Sequence, residues 1–455
     1  MGLGLVNDLY ELTMAASYLR RGMTEPATFS LFVRRLPPSR GFVVAAGLED
    51  VLRQLPALAF DDGDLSWLAG QGFDGSTLEA LATLRFTGDV WAVPEGHVLF
   101  GDEPLVEVTA SLPEAQLVET IVLNQVTYQS ALATKAARCG LAAGGRAALL
   151  DFSLRRTHGL EAGMAAARSA AIAGFAGTSN VAAARRLGMA AVGTMAHSYV
   201  QAFPSERQAF LSFAEDFPGR TTFLVDTYDT LTGVATALDV AGTLDLRGPL
   251  AVRLDSGDLL TLSRQTRRLL DAAGRQDVRI VASGGLDEID VQQLLDDGAP
   301  IDSFGLGTQI GVSADVPSFD TAYKLVEYAG RPVVKLSTDK ETLPGPKQIH
   351  RPDDLGRGDV LASRSEPAPP GHVALLAEVM RAGDRTGPPE ELATMADRLA
   401  ADLARLPPTA RALRAPAPVP VHRSERLTAL TREVRSTAGG ARRPGRSPDV
   451  DAGRP

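Results

Sequence analysis

Five short polar motifs between residues 151 and 308 carry the side chains that could do chemistry. They are Asp-Phe-Ser-Leu-Arg-Arg (151–156), Gly-Thr-Met-Ala-His-Ser (193–198), Arg-Leu-Asp-Ser-Gly-Asp (253–258), Ser-Gly-Gly-Leu-Asp (283–287) and Gly-Leu-Gly-Thr (305–308). Each motif ends or follows an apolar, strand-like run. A barrel of parallel strands gathers the loops after its strand C-termini at one rim, where active sites are built. Arginines, carboxylates, one histidine and glycine loops at such a rim would suit a doubly anionic sugar phosphate.

Arg253 and Asp255 form the most informative pair. Strand alternation places both side chains on one face at the end of a strand. A cation and a carboxylate side by side could hold a substrate carboxylate and a ribose hydroxyl. A plain ion pair is the ordinary alternative, but the tight polar turn Ser256-Gly257-Asp258 that follows favours the functional interpretation.

Two glycine loops, each after a β-branched run, predict an anion site. Glycine lets backbone N–H groups approach an anion closely, and a following helix N-terminus adds its dipole. One such loop alone would indicate only a strand-to-helix turn. Two in succession are typical of a barrel phosphate cup. The residues concerned are Ser283, Gly284, Gly285, Gly305, Gly307 and Thr308.

His197 follows Gly193-Thr194 just past a strand end. A lone histidine is more often structural than catalytic, and His158 is interpreted as structural. Imidazole becomes a nucleophile when its other nitrogen is fixed by a carboxylate, although the sequence does not identify that acid.

Arg155 and Arg156 are adjacent on a strand-like loop, so only one should face a ligand. The motif itself does not decide which of the two faces the ligand, and a structural ion pair is predicted for the other.

The elements that position these motifs alternate strand and helix. Six strands are predicted at residues 148–152, 190–193, 222–225, 250–254, 278–282 and 301–306. This rhythm favours a parallel α/β arrangement. Six strands are too few for the eightfold barrel, so we expect an irregular or incomplete one.

The whole chain is predicted to divide into four segments, of which the barrel is the second. Residues 1–140 are predicted to form an N-terminal α+β domain, and residues 141–325 the irregular α/β barrel that carries the active site. Residues 326–436 are predicted to return as a C-terminal segment that packs on the N-terminal domain. Residues 437–455 lack apolar periodicity and are predicted to be disordered.

Composition excludes several classes of protein. The chain has 455 residues, 44% of them hydrophobic, and a net charge of -9, which argues against a nucleic-acid partner. The single cysteine, Cys139, fits a reducing cytoplasm, so a cytoplasmic protein is expected. Residues 1–12 show no secretory signal, and no apolar run approaches membrane-spanning length, so no membrane association is expected.

The motifs together resemble the nicotinate phosphoribosyltransferase family. The resemblance runs from Asn-Asp-Leu-Tyr-Glu-Leu-Thr (7–13) to Pro-Gly-Pro-Lys (344–347), and the pairing of the 151–156 and 193–198 motifs is highly specific. It implies an irregular, type II phosphoribosyltransferase-like barrel in a homodimer with shared active sites. It also implies the joining of nicotinate to phosphoribosyl diphosphate, the first step of NAD salvage from nicotinic acid. ATP hydrolysis would be coupled to the reaction, and Mg²⁺ would neutralise the diphosphate.

The same resemblance assigns roles to residues. It implies that His197 is phosphorylated by ATP, that Asp255 stabilises the oxocarbenium-like sugar and that Arg253 binds nicotinate. It places a tyrosine at position 10 on the pyridine ring across the subunit interface, and the glycine loops at the ribose 5-phosphate. Besides Arg253, the substrate-binding residues implied are Tyr10, Arg155, Ser179, Thr194, Asp258, Ser283, Gly284, Gly285, Gly305, Gly307 and Thr308. With Arg155 at the site, Arg156 is predicted to form a structural ion pair. The metal ligands remain unassigned.

Other activities are kept as alternatives. A nicotinamide phosphoribosyltransferase would resemble this chain, but that enzyme has an aspartate where this chain has Ser179. A quinolinate-using enzyme and a non-catalytic metabolite-binding relative are further alternatives. A sugar-phosphate aldolase would need a lysine at a strand end of the repeating section, and none is found. No P-loop motif is present, so ATP would bind by another route.

Overall fold

The first part of the chain combines antiparallel strands with helices. The structure is a computed structural model that describes residues 2–246, 248–337 and 341–440. The strands are β1 (Pro26–Val33), β2 (Val43–Val44), β3 (Asp89–Ala92), β4 (Val98–Leu99) and β5 (Pro104–Ser111). The helices are α1 (Leu9–Arg20), α2 (Leu48–Gln54), α3 (Asp62–Gly70), α4 (Gly75–Thr83), α5 (Leu112–Leu117) and α6 (Glu119–Ala143). Every residue of β1 after Pro26 is buried, because this strand lies in the middle of its sheet.

The middle of the chain alternates strand and helix. Its strands are β6 (Ala148–Asp151), β7 (Gly177–Thr178), β8 (Ala190–Ala191), β9 (Thr221–Leu224), β10 (Leu250–Leu254), β11 (Arg279–Ser283) and β12 (Ser303–Leu306). Its helices are α7 (Leu160–Ile172), α8 (Val181–Leu187), α9 (His197–Gln201), α10 (Glu206–Asp216), α11 (Thr230–Thr243), α12 (Leu259–Ala272), α13 (Glu288–Asp296) and α14 (Thr308–Gly311). The strand order is β8-β7-β6-β12-β11-β10-β9, with every neighbouring pair parallel.

This sheet is a curled half-barrel, which confirms the predicted irregular parallel α/β barrel. All six predicted strands are present. The additional strand, β7, has only the residues Gly177 and Thr178, and so it leaves no apolar run in the sequence. The two edges, β8 and β9, each pair on one side only, so the sheet has an open seam between them.

The last part of the chain extends the first sheet. Its strands are β13 (Thr321–Tyr328), β14 (Arg331–Pro332), β15 (Lys347–Pro352), β16 (Asp359–Ser363), β17 (His372–Ala374), β18 (Ala377–Arg381), β19 (Asp384–Arg385) and β20 (Val421–Arg423). Its helices are α15 (Leu392–Arg405), α16 (Pro408–Arg411) and α17 (Glu425–Gly440). The first sheet has the order β14-β13-β1-β5-β3-β18-β19, and β17-β15-β16-β20 form a separate sheet. The short strands β2 and β4 form a pair of their own.

The N-terminal region and the C-terminal segment share one apolar core. Leu31 and Val108 belong to the same cluster as Tyr323, Ile349 and Met380. The predicted domain division stays a prediction, and two of its boundaries, at 140 and 325, fall inside α6 and β13. The prediction that the chain is disordered from residue 437 was wrong for residues 437–440, which belong to α17. The rest of that predicted tail, residues 441–455, lies outside the described residues.

Helix α6 connects this core to the half-barrel. It has 25 residues, yet no helix in the described ranges is long and apolar enough to cross a membrane. Two of its cations are buried: Lys135 Nζ lies 2.5 Å from Glu288 Oε2, and Arg138 Nε lies 2.9 Å from Glu288 Oε1. Lys135 also contacts Asp315, which forms a second ion pair with Arg40 at 2.7 Å. This buried ion network therefore joins α6 and α13 to the loops that carry Arg40 and Asp315.

Removal of one anion from this network should destabilise the protein. Glu288→Gln leaves Lys135 and Arg138 buried with one partner fewer, so we expect a loss of about 3–5 kcal/mol in the free energy of unfolding. The control is Asp296→Asn, at the end of the same helix α13, which removes an exposed ion pair between Asp296 and Arg146. This change should lower the free energy of unfolding by about 0–1 kcal/mol. Urea denaturation measures both losses. Equal losses in the two variants would show that the network contributes no more than a surface pair.

Candidate active site

Arg253 is the residue around which the rim is organised. It lies one residue before the end of β10, on the face of the strand opposite the buried Leu254 and Val252. Its Nε donates to Ser283 Oγ at 2.8 Å and its Nη1 to Thr194 Oγ1 at 2.9 Å. Its Nη2 donates to Asp255 Oδ1 at 2.6 Å. The predicted pair thus exists and is bonded to two other predicted site residues.

Asp255 is held as an ionised carboxylate. Burial alone would raise its pKa, but the hydrogen bond from Ser283 and the charge of Arg253 outweigh burial, so the pKa lies below its ordinary value. A Cβ on Gly284 would lie 2.2 Å from the Asp255 carbonyl oxygen, and Gly284 has φ +109°. Only glycine therefore allows the loop after β11 to pack directly against the backbone of Asp255.

His197 lies beside this pair. It is the first residue of α9, and its Nδ1 lies 3.2 Å from Thr227 Oγ1. Its Nε2 lies 3.8 Å from Asp255 Oδ2, too far for a hydrogen bond. The sequence predicted a carboxylate partner for this imidazole. The structure instead places a threonine hydroxyl at Nδ1.

Phe152 forms a flat apolar wall that the sequence analysis did not identify. Its ring centroid lies 5.5 Å from the Arg253 guanidinium carbon, within cation–π range. A Cβ on Gly305 would lie 2.4 Å from the ring, so this glycine is needed for the ring to pack against β12. Gly307 passes close to the Phe152 carbonyl. The only signal in the sequence was an aromatic residue inside a polar motif.

Ser179 is positioned through Asp151, at the end of β6. The Ser179 N–H donates to the Asp151 carbonyl at 2.8 Å. The buried Asp151 carboxylate accepts from the Thr178 hydroxyl at 2.6 Å and from the Ser153 N–H at 2.9 Å. These bonds fix the loops after β6 and β7 against each other, with Ser179 half-buried between them.

The two arginines of the 151–156 motif are arranged differently from the prediction. They lie in a single 3₁₀ turn, Leu154–Arg156, rather than on an extended loop. Both side chains are exposed, and neither makes an ion pair among the described residues. The structural ion pair predicted for Arg156 is therefore wrong. His158 is exposed on the same loop.

Asp258 and Thr308 stand at helix starts. Asp258 caps α12, accepting from the Thr261 hydroxyl at 2.7 Å and from its N–H at 3.2 Å. These hydrogen bonds lower the pKa of Asp258. Thr308 is exposed at the first position of α14, directly after Gly307. Their roles in binding a ligand stay predictions, as does that of Gly285, which has φ +77° in the loop after β11.

The segment Asp226-Thr227-Tyr228-Asp229 belongs to the rim but was missed. It follows β9 with the same strand-then-polar pattern as the five motifs, which was the available signal. Asp226 Oδ2 accepts the Asp255 N–H at 3.1 Å and a hydrogen bond from the Ser256 hydroxyl. Its Oδ1 is buried without a hydrogen-bond partner among the described residues. In the same described ranges, no group of three or more metal-ligating side chains is found.

Tyr10 is not brought to the rim of its own chain. It lies on α1, which packs on α4 and α5, and its side chain is 47% exposed. Burial of the hydroxyl raises the pKa of Tyr10, with further contributions from Glu119 and Glu11, so the phenol stays protonated. Within the described part of the chain, it makes no hydrogen bond or ring contact with a rim residue.

Comparisons of sequence place the chain among characterised proteins. The sequence model of the nicotinate phosphoribosyltransferase (NAPRTase) N-terminal domain matches residues 5–127, and that of the NAPRTase family matches residues 147–344. A nicotinate phosphoribosyltransferase of Mycobacterium tuberculosis is 50% identical over 385 residues, which cover 84% of this chain and 82% of that protein. The human nicotinate phosphoribosyltransferase is 33% identical, with 94% of this chain and 96% of the relative covered.

Comparisons of structure agree with those of sequence. The crystal structure of human nicotinic acid phosphoribosyltransferase matches with a TM-score of 0.84 and 31% identity, covering 94% of this chain and 99% of that one. A nicotinate-nucleotide pyrophosphorylase from Pyrococcus furiosus matches with a TM-score of 0.73 over 88% of this chain and 95% of its own. At 24% identity, the latter likeness concerns the fold alone.

Proposed function

The chain belongs to the nicotinate phosphoribosyltransferase family, and from this membership we propose that it converts nicotinate and 5-phosphoribosyl 1-diphosphate to nicotinate mononucleotide and diphosphate. The observation that carries the proposal is the fixed guanidinium of Arg253 at the rim, between Thr194, Ser283 and Asp255. This reaction is the first step of NAD salvage from nicotinic acid. The alternative substrate is nicotinamide, which lacks the negative charge that Arg253 would pair.

Arg253 has donors left for a substrate. A guanidinium carries five N–H groups, and three are used by Ser283, Thr194 and Asp255. Two remain, one on each terminal nitrogen. A carboxylate bound there would lie close to the Phe152 ring, which offers a flat surface to a pyridine. The three bonds hold the guanidinium in place before substrate arrives, so little side-chain entropy is lost on binding.

Asp255 is placed to stabilise the sugar cation. Cleavage of the C1–diphosphate bond leaves an oxocarbenium-like ribose, and an ionised carboxylate nearby lowers the energy of that charge. The lowered pKa keeps Asp255 ionised at neutral pH. The pyridine nitrogen attacks without a base, so alignment is the main contribution that the protein must make, worth roughly 7–11 kcal/mol.

Mg²⁺ fits this rim as a partner of the diphosphate. The ion commonly binds proteins through one or two carboxylates and completes its shell with water and substrate phosphates. Asp226, whose buried Oδ1 has no hydrogen-bond partner among the described residues, and Asp255 are the carboxylates at hand. When bound, Mg²⁺ would neutralise the charge of the leaving diphosphate. The two glycine loops would hold the ribose 5-phosphate.

ATP coupling would act through His197, with ATP hydrolysed to ADP and phosphate. The imidazole lies at the rim, 3.8 Å from Asp255, so phosphorylation would change the charge and shape of the sugar site directly. The enzyme would then be a ligase in the formal sense, because ATP cleavage drives mononucleotide formation.

The single cysteine, Cys139, is buried, and this burial raises the pKa of its thiol. A buried thiol of this kind suits a cytoplasmic protein without disulfides.

The second subunit would cover two exposed apolar surfaces. At the rim, Leu160 is 74%, Val181 72% and Tyr228 66% exposed. On α1, Leu9 and Tyr10 are exposed as well. A homodimer that brings each α1 onto the partner's rim would bury both surfaces. Tyr10 would then face the pyridine site of the partner subunit.

Ser179 should determine which pyridine is used. We expect a strong preference for nicotinate over nicotinamide, and Ser179→Asp should lower the rate with nicotinate far more than with nicotinamide. The new carboxylate repels that of nicotinate, and loss of a charged hydrogen bond costs about 1.5–3 kcal/mol, or one to two powers of ten. Mononucleotide formation from each pyridine, with and without ATP, is the measurement.

Ser205→Asp is the matched control. Ser205 caps α10 from an exposed position, and aspartate caps a helix equally well, so both rates should be kept. Equal loss on both substrates in Ser179→Asp would show that position 179 does not recognise the carboxylate. A wild-type preference for nicotinamide would overturn the proposed substrate.

His197→Ala should abolish both ATP-dependent stimulation and incorporation of acid-labile phosphate, because the acceptor nitrogen is gone. Circular dichroism should show an unchanged fold. Incubation with ATP labelled in its γ-phosphate measures the incorporation. His422→Ala removes an exposed histidine whose ring, among the described residues, is hydrogen-bonded only to the Arg357 carbonyl, and it should leave both properties intact. Coupling that survives in His197→Ala would exclude the phosphohistidine role.

Two defective variants should complement each other in a mixed dimer. Tyr10→Ala and His197→Ala each impair one half of a shared site, so a mixed dimer has one site with both defects and one with neither. Random exchange of subunits should restore about a quarter of the wild-type ATP-stimulated activity. Each variant exchanged with itself should stay inactive. Full activity of a wild-type monomer in a sizing experiment would contradict the shared site.

A further inference from the structure

Thr227 is the one residue of the 226–229 segment whose side chain is directed at the histidine. Asp226 binds the backbone of Asp255, and Asp229 caps α11 by accepting from the Thr232 N–H at 2.9 Å. Tyr228 is exposed. The Thr227 hydroxyl lies 3.2 Å from His197 Nδ1. The segment is therefore anchored on both sides of Thr227, by a rim contact before it and by a helix cap after it.

The anchoring gives the hydroxyl a defined position. Threonine is β-branched, so its χ1 angle is restricted further than that of serine. Among the described residues, its hydroxyl has no other hydrogen-bond partner than His197. His197 itself is fixed at the start of α9, so a single hydrogen bond is sufficient to set the orientation of the ring.

We infer that Thr227 positions the imidazole of His197 by accepting its Nδ1–H, which leaves the lone pair of Nε2 free as the nucleophile. Fixing the proton on one ring nitrogen determines the tautomer and hence the reactivity of the other. Nε2 has no hydrogen bond in the described structure and lies at the open rim, 3.8 Å from Asp255 Oδ2. The consequence for catalysis rests on the proposed ATP coupling, but the tautomer itself does not.

The phosphoryl transfer to Nε2 needs no general base, because the attacking nitrogen carries no proton. The Nε2 lone pair forms a bond to the γ-phosphorus of ATP while the bond from that phosphorus to the β–γ bridging oxygen breaks. ADP leaves with the electron pair of the broken bond. The proton stays on Nδ1, in its hydrogen bond to Thr227. The opposite tautomer would place a proton on Nε2, the atom that must attack.

The tautomer can be measured directly in the whole protein. Labelling with ¹⁵N-histidine gives signals from six histidines, and His197→Ala identifies the signal of interest. We expect the Nδ1–H tautomer in the wild type and in Thr227→Ser, and a shift towards Nε2–H in Thr227→Val. Thr236→Val is the matched control and should leave the signal unchanged, because in the described part of the chain the Thr236 hydroxyl bonds only to the Thr232 carbonyl within α11.

Phosphorylation gives the second readout. With ATP, the phosphate should appear on Nε2, and its rate of incorporation should fall about tenfold in Thr227→Val, as expected for loss of one hydrogen bond. Thr227→Ser should restore the rate. The KM for substrate, measured without ATP, should stay unchanged in Thr227→Val, Thr227→Ser and Thr236→Val. A purely structural role of Thr227 would change KM and leave the tautomer as it is.

The outcomes separate this inference from the proposed function. An Nε2–H tautomer in the wild type, or an unchanged tautomer in Thr227→Val, would overturn the positioning role. The expected tautomer together with no phosphate on His197 in the wild type would support the positioning role and refute the proposed coupling. Phosphate on Nδ1 would overturn the assignment of Nε2 as the nucleophile.

Discussion

The constraint on which the site depends is the immobilised guanidinium of Arg253. Two of its three hydrogen bonds join β10 to the end of β11, through Ser283, and to the loop after β8, through Thr194, and the third binds Asp255. The charge of Arg253 also helps to keep Asp255 ionised. Loss of this cation would leave a half-buried carboxylate and two hydroxyls without their common partner, which is costly in a site partly shielded from water. The proposed binding of an anionic substrate and the proposed stabilisation of a cationic sugar therefore share one side-chain arrangement.

The half-barrel is held to the rest of the molecule by a second electrostatic arrangement. Lys135 and Arg138 project from α6 towards Glu288 on α13, and α13 begins directly after the glycine loop at β11. Buried charges thus hold the helix that follows the glycine loop after β11, and such charges require precise geometry to be favourable. The apolar core alone would specify the relative position of these elements less strictly.

The sequence allowed prediction of what depends on local pattern. Apolar runs located six of the seven parallel strands, and the polar residues after them located Arg253, Asp255, Ser283 and His197 at one rim. Features that depend on contacts between distant segments were not predictable. The strand β7 forms because Gly177 and Thr178 pair with β6 and β8, although they carry no apolar signal.

The hydrogen-bond and ion-pair partners of individual side chains also could not be predicted from the sequence. The 3₁₀ turn exposes Arg156 instead of pairing it, and the partner of the His197 imidazole is a hydroxyl thirty residues away rather than an acid. Only three-dimensional proximity selects Thr227 from among the many threonines of the chain. The role of Phe152 likewise becomes visible only where β10 and β12 bring Arg253 and Gly305 against its ring.

The histidine lies at the open seam of the sheet, between its two edge strands. His197 follows the edge strand β8, Thr227 follows the opposite edge strand β9, and their hydrogen bond spans a gap that no backbone ladder closes. Edge strands open locally at a lower free energy than strands paired on both sides, so amide hydrogens of β8 and β9 should exchange sooner than those of β12. If His197 is phosphorylated as proposed, that chemistry would take place between two edge strands, where a small change in charge can be converted into a change in shape.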